Sequence, residues 1–174
     1  MIYLQRHTRP DIAPNTCYGI SDIALSNEYP QHLAEVRSRL NNIQITSLYS
    51  SPLTRCSTLA RDICDEIGCR DIIYDNRLKE LNFGEWELMN WDDINATEDG
   101  QRWFADYLHR PTPNGEAFAE LVERAKSFIS EMGDSDVMAV THSGFIRAAL
   151  IASSKTSLSC AFDMEIPYGA LIKL

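Results

Sequence analysis

The chain has 174 residues, 44% of them hydrophobic and 24% charged, a size and composition that fit one globular domain with a sizeable core. Its formal net charge of -9 argues against wrapping a nucleic-acid backbone or lying on an anionic membrane. No apolar run reaches the ~20 residues of a membrane span, and the N-terminus lacks the basic-apolar-small order of a secretory signal, so a cytoplasmic location is expected.

In chain order, the first element is an apolar strand at residues 2–5 that ends in Arg6 and His7, just before a proline-marked loop. A strand end frayed into solvent would account for that pair as well as an anion site would. An amphipathic helix follows at 28–40, with Pro30 in its first turn, where a missing N–H costs nothing. Residues 45–50 read as the second strand, and Ser51, Pro52 and Arg55 as N-cap, first position and first turn of the helix behind it. That helix carries Cys56, Leu59, Ala60, Ile63, Cys64 and Ile67 at spacings of three and four, and Gly68 stops it. The third strand is 72–74. From Trp86 to Arg110 all three tryptophans sit among acidic residues, and this stretch reads as a helical excursion, about 86–115, laid over one end of the sheet. Phe118 to Met132 forms another periodic helix whose aromatics read as packing. A strand at 137–141 then runs into His142, a Ser143-Gly144 turn and a new helix, and 162–166 and 170–174 are the last expected strands. Strands alternating with amphipathic helices predict an α/β fold. The expected architecture is a three-layer α/β/α sandwich with a mostly parallel central sheet, all within one domain, 1–174.

Five cysteines, an odd number without a Cys-x-x-Cys pair, suggest reduced thiols, with Cys56 and Cys64 in the core. The Asn95-Ala96-Thr97 sequon would then be idle. His32, on a polar stretch of helix, reads as solvated, and His109 as a loop residue.

In an open parallel sheet, ligands bind beyond the carboxyl ends of the strands. Arg6, His7, Arg55 and His142 would gather there, and a helix N-terminus beside them adds free N–H groups and a favourable dipole. Two arginines match phosphoryl oxygens in a fork, and a neutral imidazole can attack phosphorus. Such a nucleophile needs an acid to protonate the leaving oxygen, and Glu80, in the run RLKELNFGEWE, is the candidate.

These residues resemble the motifs of the histidine phosphatase superfamily, also called phosphoglycerate mutase-like. Arg6-His7-Thr8 is similar to its opening Arg-His-Gly. Ser51-Pro52-Leu53-Thr54-Arg55 with Thr58-Leu59-Ala60 is similar to its Ser-Pro-Leu-x-Arg…Thr-Ala segment. Glu80 through Glu87, Pro113-Asn114-Gly115-Glu116 and Thr141-His142-Ser143-Gly144 resemble its later blocks, in the family's order. The resemblance implies that His7 becomes phosphohistidine, that Arg6, Arg55 and His142 clamp the phosphoryl oxygens, and that Glu80 is proton donor and then base. It implies no metal and no cofactor. Thr8, Tyr18, Gly19 and Ser143 join the site as expected phosphate- or substrate-binding residues. The Arg-His-Thr opening with Cys17-Tyr18-Gly19-x-x-Asp22, together with FGEWE, resembles the α-ribazole phosphatase branch, which acts on α-ribazole 5′-phosphate or its cobamide precursor in cobalamin nucleotide-loop assembly. For such a base, Tyr18 and the tryptophans would be stacking partners, although packing of the excursion onto the sheet would account for Trp86, Trp91 and Trp103 more readily.

The departures are Thr8 and Ser143 for glycines, Ala13 for an asparagine, Ala117 for a serine and Leu88 for a glycine, with Thr8 expected to narrow the pocket. The expected partner is a small phosphomonoester, with no nucleic acid or membrane, and a homodimer is open. Three other readings stay open at this level. One is a broad phosphatase or phosphoglycerate mutase-like enzyme, another a binder of phosphoesters without turnover. The third is a metallohydrolase using His7, His142 and carboxylates such as Asp11 or Asp22.

Overall fold

Parallel strands need a crossover long enough to return the chain, and each long helix supplies one. The computed structural model describes residues 1–41 and 43–174. Its strands are β1 (Ile2–Arg6), β2 (Ser47–Ser50), β3 (Ile72–Tyr74), β4 (Val137–Thr141) and β5 (Leu171–Lys173), in the sheet order β3-β2-β4-β1-β5. The first four are parallel, and β5 runs antiparallel to β1 at the edge. The helices are α1 (Tyr29–Arg39), α2 (Thr54–Ile67), α3 (Trp91–Ala96), α4 (Glu98–Ala105), α5 (Phe118–Met132), α6 (Ser143–Ala152) and α7 (Leu158–Asp163).

Side-chain alternation along β4 divides the core into two halves. Met138 and Val140 pack with Leu33, Val36, Leu59 and Ile63 of α1 and α2. Val137 and Ala139 pack with Leu121 and Phe128 of α5 and Phe145 of α6. The result is the expected three-layer sandwich with a mostly parallel sheet. Phe128 is wholly buried, edge-on to Tyr49 at 5.4 Å and to Phe145 at 6.1 Å between ring centroids. The excursion contributes α3 and α4, whose caps are local: Asn90 accepts from the Asp92 N–H and Thr97 from the Gly100 N–H. No helix among the described residues is long and apolar enough to cross a membrane.

Three expectations are corrected. Residues 162–166 are not a strand. Ser157 accepts from the Cys160 N–H and starts α7, and Phe162 packs on Tyr107 and Phe118, with centroids 4.8 and 5.0 Å away. The helix after β2 begins at Thr54, not at Pro52, with Leu53 as its N-cap. Asp22 satisfies its first turn from outside, accepting from the Thr54 N–H at 2.7 Å and hydroxyl at 2.6 Å. The thiols are not all reduced: Cys64 and Cys69 form a disulfide across the end of α2, with Cα atoms 4.9 Å apart. Gly68, left-handed at φ 68°, turns the chain between them. Cys56 stays a buried free thiol, as expected.

Truncating Phe128 removes a ring that three elements close upon. Phe128→Ala is expected to lower stability by about 3–5 kcal/mol in urea unfolding, and a loss under about 1 kcal/mol would show that this half of the core collapses around the gap.

Candidate active site

Register brings the first residues beyond three strands to one edge. Arg6 of β1 is level with Thr141 of β4, and Ser50 of β2 with Val140. His7 and His142 therefore follow at the same level, and Ser51 lies one step behind them, level with Arg6 and Thr141. The two imidazoles meet edge to face, with centroids 5.1 Å apart, and both are buried.

His7 Nδ1 lies 2.6 Å from the Thr8 carbonyl oxygen. A carbonyl can only accept, so Nδ1 carries the hydrogen and the neutral ring keeps its lone pair on Nε2. Burial, then the charges of Arg55 and Arg6, hold the His7 pKa well below the ordinary value, 6.5. Burial does the same for His142, with help from Arg55, His7 and Arg6. The His142 Nε2 is 2.9 Å from the Ser51 hydroxyl, which is why Ser51 serves a histidine and not the helix it was expected to cap.

Arg55, on the first turn of α2, is completely buried. Its Nη1 donates to Ser21 O at 2.7 Å and its Nη2 to Gly19 O. Arg6 donates through Nη1 to Ile166 O and lies 3.9 Å from the ring centroid of Tyr168. The Nε–H of each arginine is buried without a partner among the described residues. The loop that receives Arg55 is held from its other side by Glu87, which accepts from the N–H groups of Gly19, Ile20 and Ser21, at 3.0, 3.0 and 3.1 Å, and from Phe83 N. Burial alone would raise the Glu87 pKa, but these donors hold it below the usual carboxylate value.

Glu80 reaches the same edge from the loop behind β3. Its Oε2 accepts from the Gly144 N–H at 2.9 Å, at the N-terminus of α6, and its Oε1 from Leu81 N at 3.1 Å. A methyl group on Gly144 would come within 2.1 Å of Glu80 Oε1, so this carboxylate position depends on the glycine.

A cavity of about 350 Å³ opens in front of Arg6, His7, Glu80, Ser143 and Tyr18, and Phe83, Trp91 and Trp103 form part of its far wall. A second, of about 410 Å³, lies beyond a partition formed by Tyr18 and Tyr168, whose hydroxyls are 2.8 Å apart. Arg55 and His142 stand behind His7 and do not line the first cavity. Nor do Thr8 and Gly19: the Thr8 side chain is fully buried and leaves the pocket no narrower, and Gly19 packs against Leu81 O and Glu87. Trp86 and Trp103 are both buried in the core, and Trp103, with the partly buried Trp91, also lines the cavity. Asp22 caps α2 and Asp11 is exposed, and among the described residues no three His, Cys, Asp or Glu side chains gather as a metal site would. His109 is exposed and bonded to Asp106, whereas His32 is half-buried rather than solvated.

Sequence reading missed Arg147, Tyr168 and Phe162. Arg147 lies one helical turn after Ser143, so it shares that residue's face of α6, and this spacing was the available signal. It donates to Ala161 O at 3.0 Å and Met164 O at 2.9 Å, tying α7 to the cavity wall. Tyr168 and Phe162 had no local signal, since they reach the cavity from the far end of the chain.

Two buried histidines and two arginines at the carboxyl edge of a parallel sheet, with a carboxylate facing them, define a class of phosphoryl-handling α/β proteins. Residues 2–174 match the model of the histidine phosphatase superfamily, branch 1, and the chain belongs to that family. The probable phosphoglycerate mutase GpmB of Escherichia coli O1:K1 / APEC is 33% identical over 138 residues, which is 76% of this chain and 63% of that protein. The chain thus aligns with less than two thirds of the length of the curated relatives it matches. In fold it is similar to a mycobacterial glucosyl-3-phosphoglycerate phosphatase, with a TM-score of 0.85 at 21% identity over 98% of this chain and 87% of the other. It is similar to the α-ribazole phosphatase from Shigella flexneri to the same degree, with a TM-score of 0.85 at 20% identity over 98% and 87%.

The lowered histidine pKa values carry a sign. Below about 6.5 the unfolded chain takes up protons that the folded chain refuses, so stability falls as pH falls from there toward the folded-state values. Each histidine contributes up to about 1.4 kcal/mol per pH unit in that window. Urea unfolding between pH 7 and 5 is expected to show this slope, reduced in His142→Asn, and an unchanged slope in the variant would show that His142 protonates freely when folded.

Proposed function

We propose that the chain is a phosphomonoester hydrolase that works through a phosphohistidine on His7. The observation that carries this reading is the His7 tautomer: Nδ1 is committed to the Thr8 carbonyl, and the ring is kept neutral by burial between two arginine charges. A neutral imidazole with its lone pair on Nε2 is a nucleophile at neutral pH.

In the first step Nε2 bonds to phosphorus as the bond from phosphorus to the ester oxygen breaks, and Glu80 gives its proton to the leaving oxygen. In the second, the Glu80 carboxylate takes a proton from water, the oxygen bonds to phosphorus and the bond to Nε2 breaks. Free imidazole, phosphate and a protonated Glu80 remain, so the ester and one water give an alcohol and phosphate. The unpartnered Nε donor of Arg6, which lines the cavity, would meet a phosphoryl oxygen, and Arg55, buried behind His7, would attract the group by its charge, which burial strengthens. The N-terminus of α6, with Ser143, would add further stabilisation there, while His142 packs edge to face against His7 from behind.

For the substrate, we infer α-ribazole 5′-phosphate or a cobamide carrying it. Trp91, Trp103, Phe83 and Tyr18 line a wall suited to a flat base, and the Cys17-Tyr18-Gly19-x-x-Asp22 pattern points the same way. The likeness to a probable phosphoglycerate mutase supports a second reading, transfer of the phosphoryl group to another phosphoglycerate. Against it, the cavity offers one arginine besides Arg6, and Arg147 already donates to Ala161 and Met164.

Phosphate release is expected to be faster from α-ribazole 5′-phosphate than from phosphosugars, nucleotides and phosphoglycerates in excess chelator. Equal rates across the panel would leave a broad phosphatase, and rephosphorylation of phosphoglycerate the mutase. Acid-labile label should appear on His7 in rapid quench, and His7→Ala should lose at least about three orders of magnitude in turnover. Full activity in that variant would remove the mechanism.

A further inference from the structure

The Pro113-Asn114-Gly115-Glu116 block has no part in the chemistry above, and neither Glu116 nor its partner Arg124 lines the cavity in front of His7. Both are largely buried on the other side of the Glu80 loop, beside a small pocket they share with Glu80, Lys79 and Asn82. Arg124, on α5, meets the Glu116 carboxylate in a two-point fork, Nε to Oε1 at 2.7 Å and Nη2 to Oε2 at 2.9 Å.

The rest of that guanidinium is spent on backbone. Nη1 donates to Arg77 O at 2.5 Å and to Lys79 O at 3.1 Å, and Nη2 to Glu80 O at 3.3 Å. Glu116 closes the ring, since its Oε2 accepts from Asn82 N at 3.2 Å and its own N–H donates to Asn82 O at 2.8 Å. Thr141, from the strand that carries His142, holds the remaining carbonyl between them, Leu78 O, at 2.7 Å. The backbone from Arg77 to Asn82 is therefore gripped at five residues from behind, while Glu80 and Leu81 line the cavity in front. Beyond the single 3₁₀ turn at Asn76–Leu78 the segment has no regular structure, so its path to Glu80 is set from behind by these bonds, while the N–H groups of Gly144 and Leu81 hold the carboxylate itself in front.

We infer that the Glu116–Arg124 pair is the positioning device for the general acid, and that it acts on leaving-group protonation rather than on phosphoryl binding. The inference rests on the reading of Glu80 as proton donor. It separates two kinds of substrate. An alkyl phosphate expels an alkoxide that must be protonated as it leaves, whereas p-nitrophenyl phosphate expels a phenolate that is stable without help. Displacing Glu80 by a few tenths of an ångström penalises the first and spares the second.

The test is the ratio of kcat/KM for an alkyl phosphate to that for p-nitrophenyl phosphate, since kcat/KM reports the phosphorylation step and a ratio is independent of how much enzyme is folded. Glu80→Gln should lower the alkyl rate by about 10²–10⁴-fold and the aryl rate far less. Arg124→Met and Glu116→Gln should each lower the ratio by about tenfold or more, with the aryl rate within about threefold of the unaltered enzyme. Arg124→Lys keeps the charge but loses the fork, and should behave as Arg124→Met does. Ratios unchanged in these variants while Glu80→Gln shows its own drop would overturn the positioning role. An unchanged ratio in Glu80→Gln would instead remove Glu80 as acid, and this inference with it.

Discussion

Arg55 is a cation placed in the interior without a carboxylate to meet it. Burying a charge costs several kcal/mol unless hydrogen bonds compensate, and here the compensation is backbone: the carbonyls of Gly19 and Ser21. That demand shapes the loop after the first motif. Its carbonyls turn in toward Arg55, its N–H groups turn out toward Glu87, and Asp22 closes it onto the start of α2. The histidine state follows from the same charge, because Arg55 is the largest electrostatic influence on both His7 and His142 after burial itself. A carboxylate paired with Arg55 would cancel much of the positive field that both histidines feel, leaving the charge of Arg6.

The parts of this site that could be read from the sequence are those where chain-local signals and strand ends coincide. Arg6-His7, Thr141-His142 and the Ser51 region each sit one step past an apolar strand, so a parallel sheet brings them to one edge whatever the details of the helices. The walls are different. Phe162, Met164 and Ile166 alternate with Asp163 and Glu165 in the pattern of a half-buried strand, and the ring contacts to Tyr107 and Phe118 decide for the helix instead. Arg147 looked like an ordinary helix residue because its partners are carbonyls of α7 and the residue after it, which sequence does not display. The Cys64–Cys69 link was hidden because it depends on a left-handed Gly68 bringing two nearby thiols together.

Departures from the family pattern are absorbed unevenly. Thr8 puts a side chain where a glycine is usual, yet that side chain is buried away from the cavity and only its carbonyl is used, to orient His7. Ala13 lines the second cavity, so the donor it lacks is missing from the chamber beyond the tyrosines and not from the one in front of His7. Gly144 is kept and has a geometric reason to be, since the Glu80 carboxylate occupies the space a larger residue would need.

The partition between the two cavities has a consequence for molecular size. Parting the hydroxyls of Tyr18 and Tyr168 would join the chamber of about 350 Å³ to the one of about 410 Å³ beyond them. The threshold is one solvent-accessible hydrogen bond, about 0.5–1.5 kcal/mol net, comparable to thermal agitation. Tyr18 and Tyr168 therefore divide the space without closing it, and the wall between the two chambers can give way to a bulky group.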